Sequence, residues 1–277
     1  LGVMLLLPLL LPPRQDLAEG EFEAWMFDVG QGLAVLVHSR DGAWLYDAGP
    51  RYPSGFDVGE AVVIPSLRAL GIDIREGQAV TEQARSIKGP DDIKAMKCAV
   101  HSCEIAMAKM QLELRPGMTE DDLWSILHAE NIRHGGEWIE TRILASGPRT
   151  NPWFQECGPR IIQAGDMVAF DTDLIGVYGM CCDISRAWIC GDVEPTADQK
   201  HLYRSAYDQV MNNMQLVRPG MSFKQFTHSA SLAAEEFRAQ RYSVLAHGVG
   251  LCDEYPSIYY PEDYQSYGTD GYFEPGM

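Results

Sequence analysis

The sequence predicts an α+β protein, with two related α/β halves around a sheet and a small β-rich segment in front of them. Three observations support this fold class. Residues 22–47 alternate apolar and polar side chains with Gly or Asp-Gly at the breaks, as consecutive strands do. Residues 91–114 and about 197–217 each carry apolar side chains on one helical face. Both helical segments are followed by Arg-Pro-Gly-Met and then Thr or Ser, so one unit is used twice.

The sequence pattern divides the chain into three parts. Residues 1–20 form an apolar terminal segment, whose opening stretch is interrupted by prolines and too short to span a bilayer. We interpret this segment as the end of a membrane helix, with a buried or adhesive terminus as the alternative, and expect no stable membrane insertion. Residues 75–277 form the main domain. Residues 21–74 form the β-rich part, with strands predicted at 22–27, 33–37 and 44–46.

The first long helix has clear start and stop signals. Pro90 suits its first turn, and Asp91 and Asp92 favour the positive end of the helix dipole. The first Arg-Pro-Gly motif ends it, and Thr119 then caps a second helix, with Asp122 completing a capping box. The apolar positions of the first helix alternate in steps of three and four residues, at 93, 96, 100, 103, 107, 110 and 114.

Composition excludes several classes of protein. The formal net charge of −17 over 277 residues disfavours nonspecific nucleic-acid binding, so we expect no nucleic-acid partner. The seven cysteines are odd in number and form no Cys-x-x-Cys pair. They are typical of reduced thiols in a cytoplasmic protein and not of a disulfide framework. The terminal apolar segment leaves membrane association open as an alternative location.

The stretch 170–186 carries the chemistry of the main domain. It consists of two short β-prone runs around a Gly-containing connection, which predicts a hairpin. Asp171 and Asp173 are two residues apart and should project from one face of a strand. Asp173 and Asp183 are equidistant from Tyr178, so a symmetric hairpin places them opposite one another. Three crowded carboxylates indicate a divalent cation, whereas a solvated acidic hairpin, or pairing with Arg186, is the alternative.

A single histidine has a context that suits a metal ligand. His247 is followed by Gly248 and Gly250, which let the backbone pass close to a bound group. Together with the aspartates it would form a mixed carboxylate–imidazole set. Such a set suits Mn, Fe, Co or Zn better than Ca. The remaining histidines lie on helix patterns or lack any comparable context.

These spacings resemble the pita-bread metalloenzymes, which include methionine aminopeptidase, aminopeptidase P, prolidase and creatinase. Positions that match the family motif are Asp173, Asp183 and His247, and the match covers about residues 76–277. The resemblance implies two pseudo-repeated α/β halves around a curved, mainly antiparallel sheet, and a homodimer. It also implies two further glutamate ligands after a Glu-Pro-Gly-Met turn. Because the sequence stops at that turn, we expect an incomplete domain with weak metal binding and little turnover.

Other residues resemble the branch of this family that cleaves dimethylsulfoniopropionate. The relevant stretches are FDTDLIGVYGMCCDISRAW and HGVGLCDEYPSIYYPED, in which Asp171 is an additional acidic residue and Asp253-Glu254 replaces the His-Glu pair of the peptidases. The resemblance implies β-elimination to dimethyl sulfide and acrylate. Iron is the favoured metal, with Mn, Co or Zn as alternatives. The ligands would be Asp171, Asp173, Asp183 and His247.

Two further roles follow from this resemblance. Asp253 is the expected general base. Tyr242 would orient the small-molecule substrate or the base. The sulfonium needs an aromatic wall that favours a cation, for which we consider Trp138, Trp153, Tyr255, Tyr259 and Tyr260. An Xaa-Pro peptidase of the prolidase kind is the alternative function.

Residues 1–72 resemble a different family. The stretches DVGQGLAVLV, LYDAGPRY, GFDVGE and IPSLRALGI are similar to the junction between the last membrane helix and the metallo-β-lactamase-like domain of competence DNA-uptake channels of the ComEC type. The His-x-His-x-Asp-His metal motif of such domains is absent from the sequence, so no nuclease site is expected. A non-functional chimera, joining part of an uptake channel to part of an enzyme, is therefore a second alternative.

Overall fold

A computed structural model describes residues 17–277. Most of the predicted apolar terminal segment, residues 1–16, lies outside the described residues. The chain folds into two compact units, with the boundary between Glu76 and Gly77. From Leu17 to Met277, no helix combines the length and the apolar character that crossing a bilayer requires. All seven cysteines lie in the described part of the chain, and each is a free thiol.

The first unit contains the predicted β-rich segment. Three strands form an antiparallel meander in the order β1-β2-β3. A π-helical turn, Gly59–Val63, leads into helix α1, Ile64–Leu70, which ends at Gly71 in the left-handed conformation. A small apolar core joins the strands and this helix through Leu36, Val63 and Leu67. The strands are β1, Phe22–Met26; β2, Val35–Ser39; and β3, Gly42–Tyr46.

The second unit alternates helices with short strands. Its helices are α2, Gln78–Arg85; α3, Pro90–Glu113; α4, Glu120–Arg133; α5, Ala197–Leu216; α6, Phe223–Ser229; α7, Glu235–Arg238; and α8, Tyr264–Tyr267. Its strands are β4, Leu144–Ser146; β5, Met167–Phe170; β6, Leu174–Ile175; β7, Cys181–Cys182; β8, Arg186–Ile189; β9, Val244–Val249; and β10, Asp253–Tyr259.

The main core lies between α3, α4 and the sheet strands. On α3 the buried apolar side chains include Cys103, Met107 and Met110, as the predicted stripe requires. Ile93 and Val100 from the same stripe are exposed, which the periodicity did not predict. They line a groove beside β9 instead of a closed core, so only the C-terminal half of α3 is buried as expected.

The repeated Arg-Pro-Gly-Met motif has the same structure in both halves. The N–H of Gly117 donates to the carbonyl of Ile162 at 2.9 Å, and the N–H of Gly220 donates to that of Phe273 at 2.8 Å. Both glycines have positive φ, which a residue with a Cβ adopts only at a cost. In each half the motif therefore ends a long helix and pairs with a later extended segment, which confirms the two related halves.

The sheet of the second unit consists of three short antiparallel pieces: β4-β5-β8, β6-β7 and β9-β10. The sequence predicted one curved, mainly antiparallel sheet, and antiparallel pairing is found throughout the described strands. The ladder between β5 and β8 ends at Phe170 opposite Arg186, and the next ladder begins at Leu174 opposite Cys182. The acidic residues occupy the interruption between these two ladders.

Candidate metal centre and active site

The acidic hairpin has the register that symmetry about Tyr178 predicts. Leu174 pairs with Cys182, so Asp173 and Asp183 follow as the next opposed positions. Neither aspartate lies in a strand, because Asp173 adopts a φ of 36° that breaks the extended backbone. The sequence predicted that the alternation of a regular strand would bring the carboxylates together. They instead converge through irregular backbone.

Three carboxylates meet at this interruption. Asp171, Asp173 and Asp183 each offer an oxygen, and these atoms lie within 4.8 Å of one another. Burial and the neighbouring Asp183 raise the pKa of Asp171, and burial also raises the pKa of Asp173. Arg186, the alternative partner, is exposed and donates to the carbonyl of Ser185. Arg186 therefore does not neutralise the cluster.

His247 faces this cluster from β9. Its Nε2 atom lies 3.2 Å from Oδ2 of Asp183. Its Nδ1 atom lies 2.9 Å from the carbonyl oxygen of Gly248, which can only accept, so Nδ1 carries the proton. The contact with Asp183 raises the pKa of His247 to about 9, against the opposing effect of burial. A backbone carbonyl that fixes Nδ1–H leaves Nε2 directed at the carboxylates, as in many metal-binding histidines.

Asp253 begins β10 beside the same imidazole. One of its carboxylate oxygens lies 4.0 Å from Nδ1 of His247, and its side chain is 40% exposed. Burial, followed by the negative charge of Asp183, raises the pKa of Asp253 to about 6. The thiol of Cys181 lies 3.9 Å from the same carboxylate. Asp253 is therefore at the edge of the cluster, where it can meet both the buried acids and an incoming molecule.

Tyr242 lies beside the cluster, next to a group of aromatic side chains. Burial and the charge of Asp253 raise the pKa of its phenol. Its ring lies 5.5 Å from that of Phe154, which in turn lies 6.2 Å from that of Trp153. Phe154 is 52% exposed and has a φ of 67°, a conformation that is costly for a bulky residue. A hydrogen bond of 2.9 Å from the side chain of Asn151 to that of Gln240 joins the loop that carries Phe154 to the segment that carries Tyr242.

Among the aromatic residues considered for a substrate wall, only Trp153 joins this group. Tyr255 packs against Phe223, Tyr259 packs against Tyr267, and the ring of Tyr260 lies under the guanidinium of Arg241 at 4.5 Å. Trp138 is exposed. Phe154 was missed because nothing in the sequence predicts its unusual backbone conformation. The Gly and Pro residues around it were the available sign of an irregular loop.

Two further features support the aspartates and were also missed. Thr141 donates a hydrogen bond of 2.6 Å from its hydroxyl to Oδ2 of Asp173. The N–H of Cys181 donates to the carbonyl of Gly250 at 2.7 Å, which joins the acidic hairpin to the connection between β9 and β10. The hairpin and the His247 segment are therefore held together by backbone as well as by side chains.

The chemistry of these donors fits a divalent metal ion. Like charges held close together and partly removed from water repel, and a cation between them removes the repulsion. Three carboxylates with one correctly oriented imidazole form a mixed oxygen and nitrogen set, which suits Mn, Fe, Co and Zn. The convergence of these donors supports this fit, since oxygens of Asp171, Asp173 and Asp183 lie within 4.8 Å of one another and Nε2 of His247 lies 3.2 Å from Oδ2 of Asp183.

Curated proteins match most of the chain. Over 226 residues it is 50% identical to "Dimethylsulfoniopropionate lyase DddP" of Roseovarius nubinhibens. This match covers 79% of this chain and 51% of that protein. The protein of the same name from Roseobacter denitrificans is 48% identical with the same coverage. The chain thus spans about half the length of these relatives. A separate match of 66 residues, 41% identical, covers 24% of this chain and 8% of the uncharacterized protein YcaI of Escherichia coli.

Solved structures share the fold at low sequence identity. Dipeptidase PepE from Mycobacterium ulcerans superposes with a TM-score of 0.71 at 21% identity, covering 90% of this chain and 76% of that one. Prolidase from Pyrococcus furiosus superposes with a TM-score of 0.69 at 18% identity, and the match covers 89% of this chain and 80% of that one. The model of metallopeptidase family M24 matches residues 94–277. The chain therefore belongs to metallopeptidase family M24, a family of enzymes with the pita-bread fold.

Proposed function

We propose that this chain carries the site of a metal-dependent lyase that cleaves dimethylsulfoniopropionate to dimethyl sulfide and acrylate. The observation that supports it is that two groups of side chains share Asp183: Asp171, Asp173 and Asp183 meet on one side, and Asp183, His247 and Asp253 meet on the other. The 50% identity to a dimethylsulfoniopropionate lyase favours this reaction over others of the fold. Because a fold does not determine a reaction, the residues at the site and the sequence relatives support the proposal more strongly than the fold does.

Asp171, Asp173, Asp183 and His247 would hold a divalent transition metal, with iron favoured by resemblance. When bound, the metal supplies positive charge that receives the substrate carboxylate and stabilises the negative charge developing next to it. The protein's own contribution is to fix these four side chains. Thr141 holds Asp173, and Gly248 holds the imidazole of His247 in one tautomer.

Asp253 is the proposed general base. Its carboxylate takes the proton from the carbon next to the substrate carboxylate. The electron pair of that C–H bond forms the carbon–carbon double bond of acrylate. The carbon–sulfur bond breaks, and its electron pair leaves with sulfur as neutral dimethyl sulfide. Asp253 suits this task because it lies at the edge of the cluster and remains 40% exposed to the incoming molecule.

Tyr242 and Phe154 are the proposed contacts for the sulfonium group. Their ring centroids lie 5.5 Å apart, the charge of Asp253 acts on the phenol of Tyr242, and Phe154 is half exposed. A cation gains energy against aromatic faces, most of all where water is partly removed. This arrangement would orient the substrate, with its carboxylate toward the aspartates and its cation toward the rings. Tyr242 would thereby orient the substrate without transferring the proton.

The experiment that tests this proposal measures dimethyl sulfide release by the purified chain supplied with Fe²⁺, Mn²⁺, Co²⁺ or Zn²⁺. Asp253→Asn should lower the rate at least about 100-fold, because it removes the base while keeping the side-chain volume. Asp192→Asn, at an exposed position on the loop before α5, is the matched control and should leave the rate unchanged. Undiminished release by Asp253→Asn would refute the assigned base.

Cleavage of Xaa-Pro dipeptides is the second candidate function. It is favoured by the shared fold with prolidase from Pyrococcus furiosus and by the description of the family as metallopeptidases. The carboxylate at Asp253, where the peptidases were expected to carry histidine, disfavours it. Assaying an Xaa-Pro dipeptide beside dimethylsulfoniopropionate with the same metal-loaded protein separates the two candidates, since each predicts turnover of one substrate only.

Resemblance supports two further proposals, a homodimer and a separate origin for the first unit as part of a DNA-uptake channel. The unpaired cysteines support a third, a cytoplasmic location. Sedimentation equilibrium tests the dimer, and cell fractionation tests the location. A chimera of two unrelated reading frames predicts that the source DNA, sequenced across codons 70–80, shows a join. An uninterrupted frame in independent isolates would refute it.

A further inference from the structure

The acidic hairpin contains a gap in its backbone pairing. The β5-β8 ladder ends at Phe170 opposite Arg186, and the β6-β7 ladder begins at Leu174 opposite Cys182. Residues 171–173 and 183–185 lie between, and these two short segments carry all three clustered aspartates. The register is the same on both sides of the gap, but within it ladder hydrogen bonds do not hold these two segments against each other, so a side-chain contact has to take their place.

The side chain of Thr172 spans this gap. Thr172 is fully buried, and its hydroxyl donates to the carbonyl of Cys182 at 2.5 Å. The same oxygen accepts from the N–H of Ile184 at 2.9 Å. Cys182 and Ile184 are the residues immediately before and after Asp183. One hydroxyl between Asp171 and Asp173 thus holds both peptide groups that flank the opposite aspartate.

Only a hydroxyl can make both contacts from this position. A Ser or Thr oxygen donates one hydrogen bond and accepts others, whereas Val has the shape of Thr without either capacity. The N–H of Thr172 also donates to Oδ1 of Asp171 at 3.1 Å, so the residue orients a second member of the cluster. Removing the hydroxyl would take one donor from the carbonyl of Cys182 and the acceptor from the part-buried N–H of Ile184, on both sides of Asp183.

We propose that Thr172 is a positioning residue, whose hydroxyl replaces the missing ladder and holds Asp183 in register with Asp171 and Asp173 for metal binding. This inference rests on the proposed function in one respect, namely that the three aspartates bind a metal. It adds a residue that does not itself touch the metal. Contacts of this kind around a metal site commonly change the affinity about 10–100-fold when they are removed.

The test is a Co²⁺ titration of the full chain after removal of metals by a chelator, followed by calorimetry and by visible absorption. Thr172→Val should raise the dissociation constant at least about tenfold and alter the Co²⁺ absorption bands. Thr172→Ser, which keeps the hydroxyl, should restore both toward wild type. Thr227→Val is the matched control, because Thr227 is equally buried and donates to the carbonyl of Tyr259 at 3.0 Å. It should bind Co²⁺ as wild type does.

Amide hydrogen exchange of Ile184 in the metal-free protein gives a readout that does not depend on recovering every variant. The N–H of Ile184 should be protected in the wild type and in Thr172→Ser, and unprotected in Thr172→Val. Rapid exchange in the wild type, or wild-type Co²⁺ affinity and spectrum in Thr172→Val, would overturn the role of Thr172. A wild-type chain that binds no Co²⁺ would instead refute the metal site of the proposed function, and the role of Thr172 with it.

Discussion

His247 faces Asp183 with its Nε2 atom 3.2 Å from Oδ2 of the carboxylate. The two residues come from separate segments, and the hydrogen bond from Cys181 to Gly250 holds those segments side by side. Nδ1–H of His247 donates to the carbonyl of Gly248, so the ring cannot turn without losing that hydrogen bond. The imidazole is therefore held in the orientation that a metal shared with Asp183 needs.

The first prediction concerns this imidazole. His247→Ala should weaken Co²⁺ binding by more than about 100-fold, since removing a ligand should cost at least as much as removing a supporting contact. His201→Ala is a suitable control, because His201 also pairs with a carboxylate, at 2.7 Å from Glu236, but lies on the exposed helix α5. Isothermal titration with Co²⁺ measures both. Equal affinity in the two variants would contradict the metal role of His247.

The second prediction concerns the aromatic pair beside the acids. Phe154→Leu should raise KM for dimethylsulfoniopropionate about 3- to 30-fold, because a cation–aromatic contact contributes about 0.5–2 kcal/mol. The metal affinity should not change, since Phe154 lies outside the ligand set. Steady-state kinetics of dimethyl sulfide release, with a parallel Co²⁺ titration, measures both quantities.

Phe56→Leu is the control for this substitution. Phe56 is 55% exposed and stacks on Tyr52 at 6.2 Å, so it matches Phe154 in exposure and in having a tyrosine neighbour. It belongs to the first unit, which carries none of the proposed site residues. An equal rise in KM for the two variants would mean that the effect of Phe154 is not a contact with the substrate.

The acidic hairpin shows how far the sequence can lead. Symmetry about Tyr178 predicted the register, and the structure has Leu174 opposite Cys182 as that symmetry requires. The sequence did not predict the φ of 36° at Asp173, because no local signal marks that position and its contacts, such as the hydrogen bond from Thr141, come from distant segments. Spacing along the chain thus indicated which acids would meet, but not the irregular backbone through which they meet.

Helix α3 shows the corresponding limit for packing. Its ends and its apolar stripe were predictable, since Pro90, the acidic first turn and the Arg-Pro-Gly motif are local signals. The burial of the stripe was only half right, because Cys103 and Met110 are buried while Ile93 and Val100 are exposed. Periodicity indicates which side chains share a face. Whether another element covers that face is a property of the tertiary fold, which periodicity alone does not contain.

The third prediction is a pH dependence of stability at Glu130. Lys109 donates to this buried carboxylate at 2.5 Å and Arg133 also contacts it, and together they lower its pKa although burial opposes the shift. A lowered folded-state pKa stabilises the fold above the unfolded value of about 4.3, and the contribution is lost as the pH falls through the folded value. Glu130→Gln should therefore lower the free energy of unfolding by about 1 kcal/mol at pH 7.

Urea unfolding at pH 7 and at pH 3 measures this effect. The difference between wild type and Glu130→Gln should shrink as the pH approaches 3, because the wild-type carboxylate then gains its proton. Asp192→Asn provides the control, since Asp192 is exposed on the loop before α5 and lies outside the helix. A constant difference between wild type and Glu130→Gln across this range would show that the ion pair is not its cause.

The fourth prediction concerns the buried carboxylate next to the proposed base. The side chain of Glu254 is fully buried and accepts from Lys88 at 2.8 Å and from Arg85. Removing one partner of a buried ion pair leaves the other charge without compensation, so Glu254→Gln should lower the free energy of unfolding by about 3 kcal/mol. Glu194→Gln, which breaks an exposed pair with Lys200, should change it by less than about 1 kcal/mol.

Thermal unfolding of the Glu254→Gln and Glu194→Gln variants beside the wild type measures the difference. Because Glu254 adjoins Asp253 in β10, its ion pair also holds the start of that strand in place. Glu254→Gln should therefore slow dimethyl sulfide release as well. Wild-type stability in Glu254→Gln would show that Lys88 and Arg85 find other partners, and that the ion pair does not hold β10.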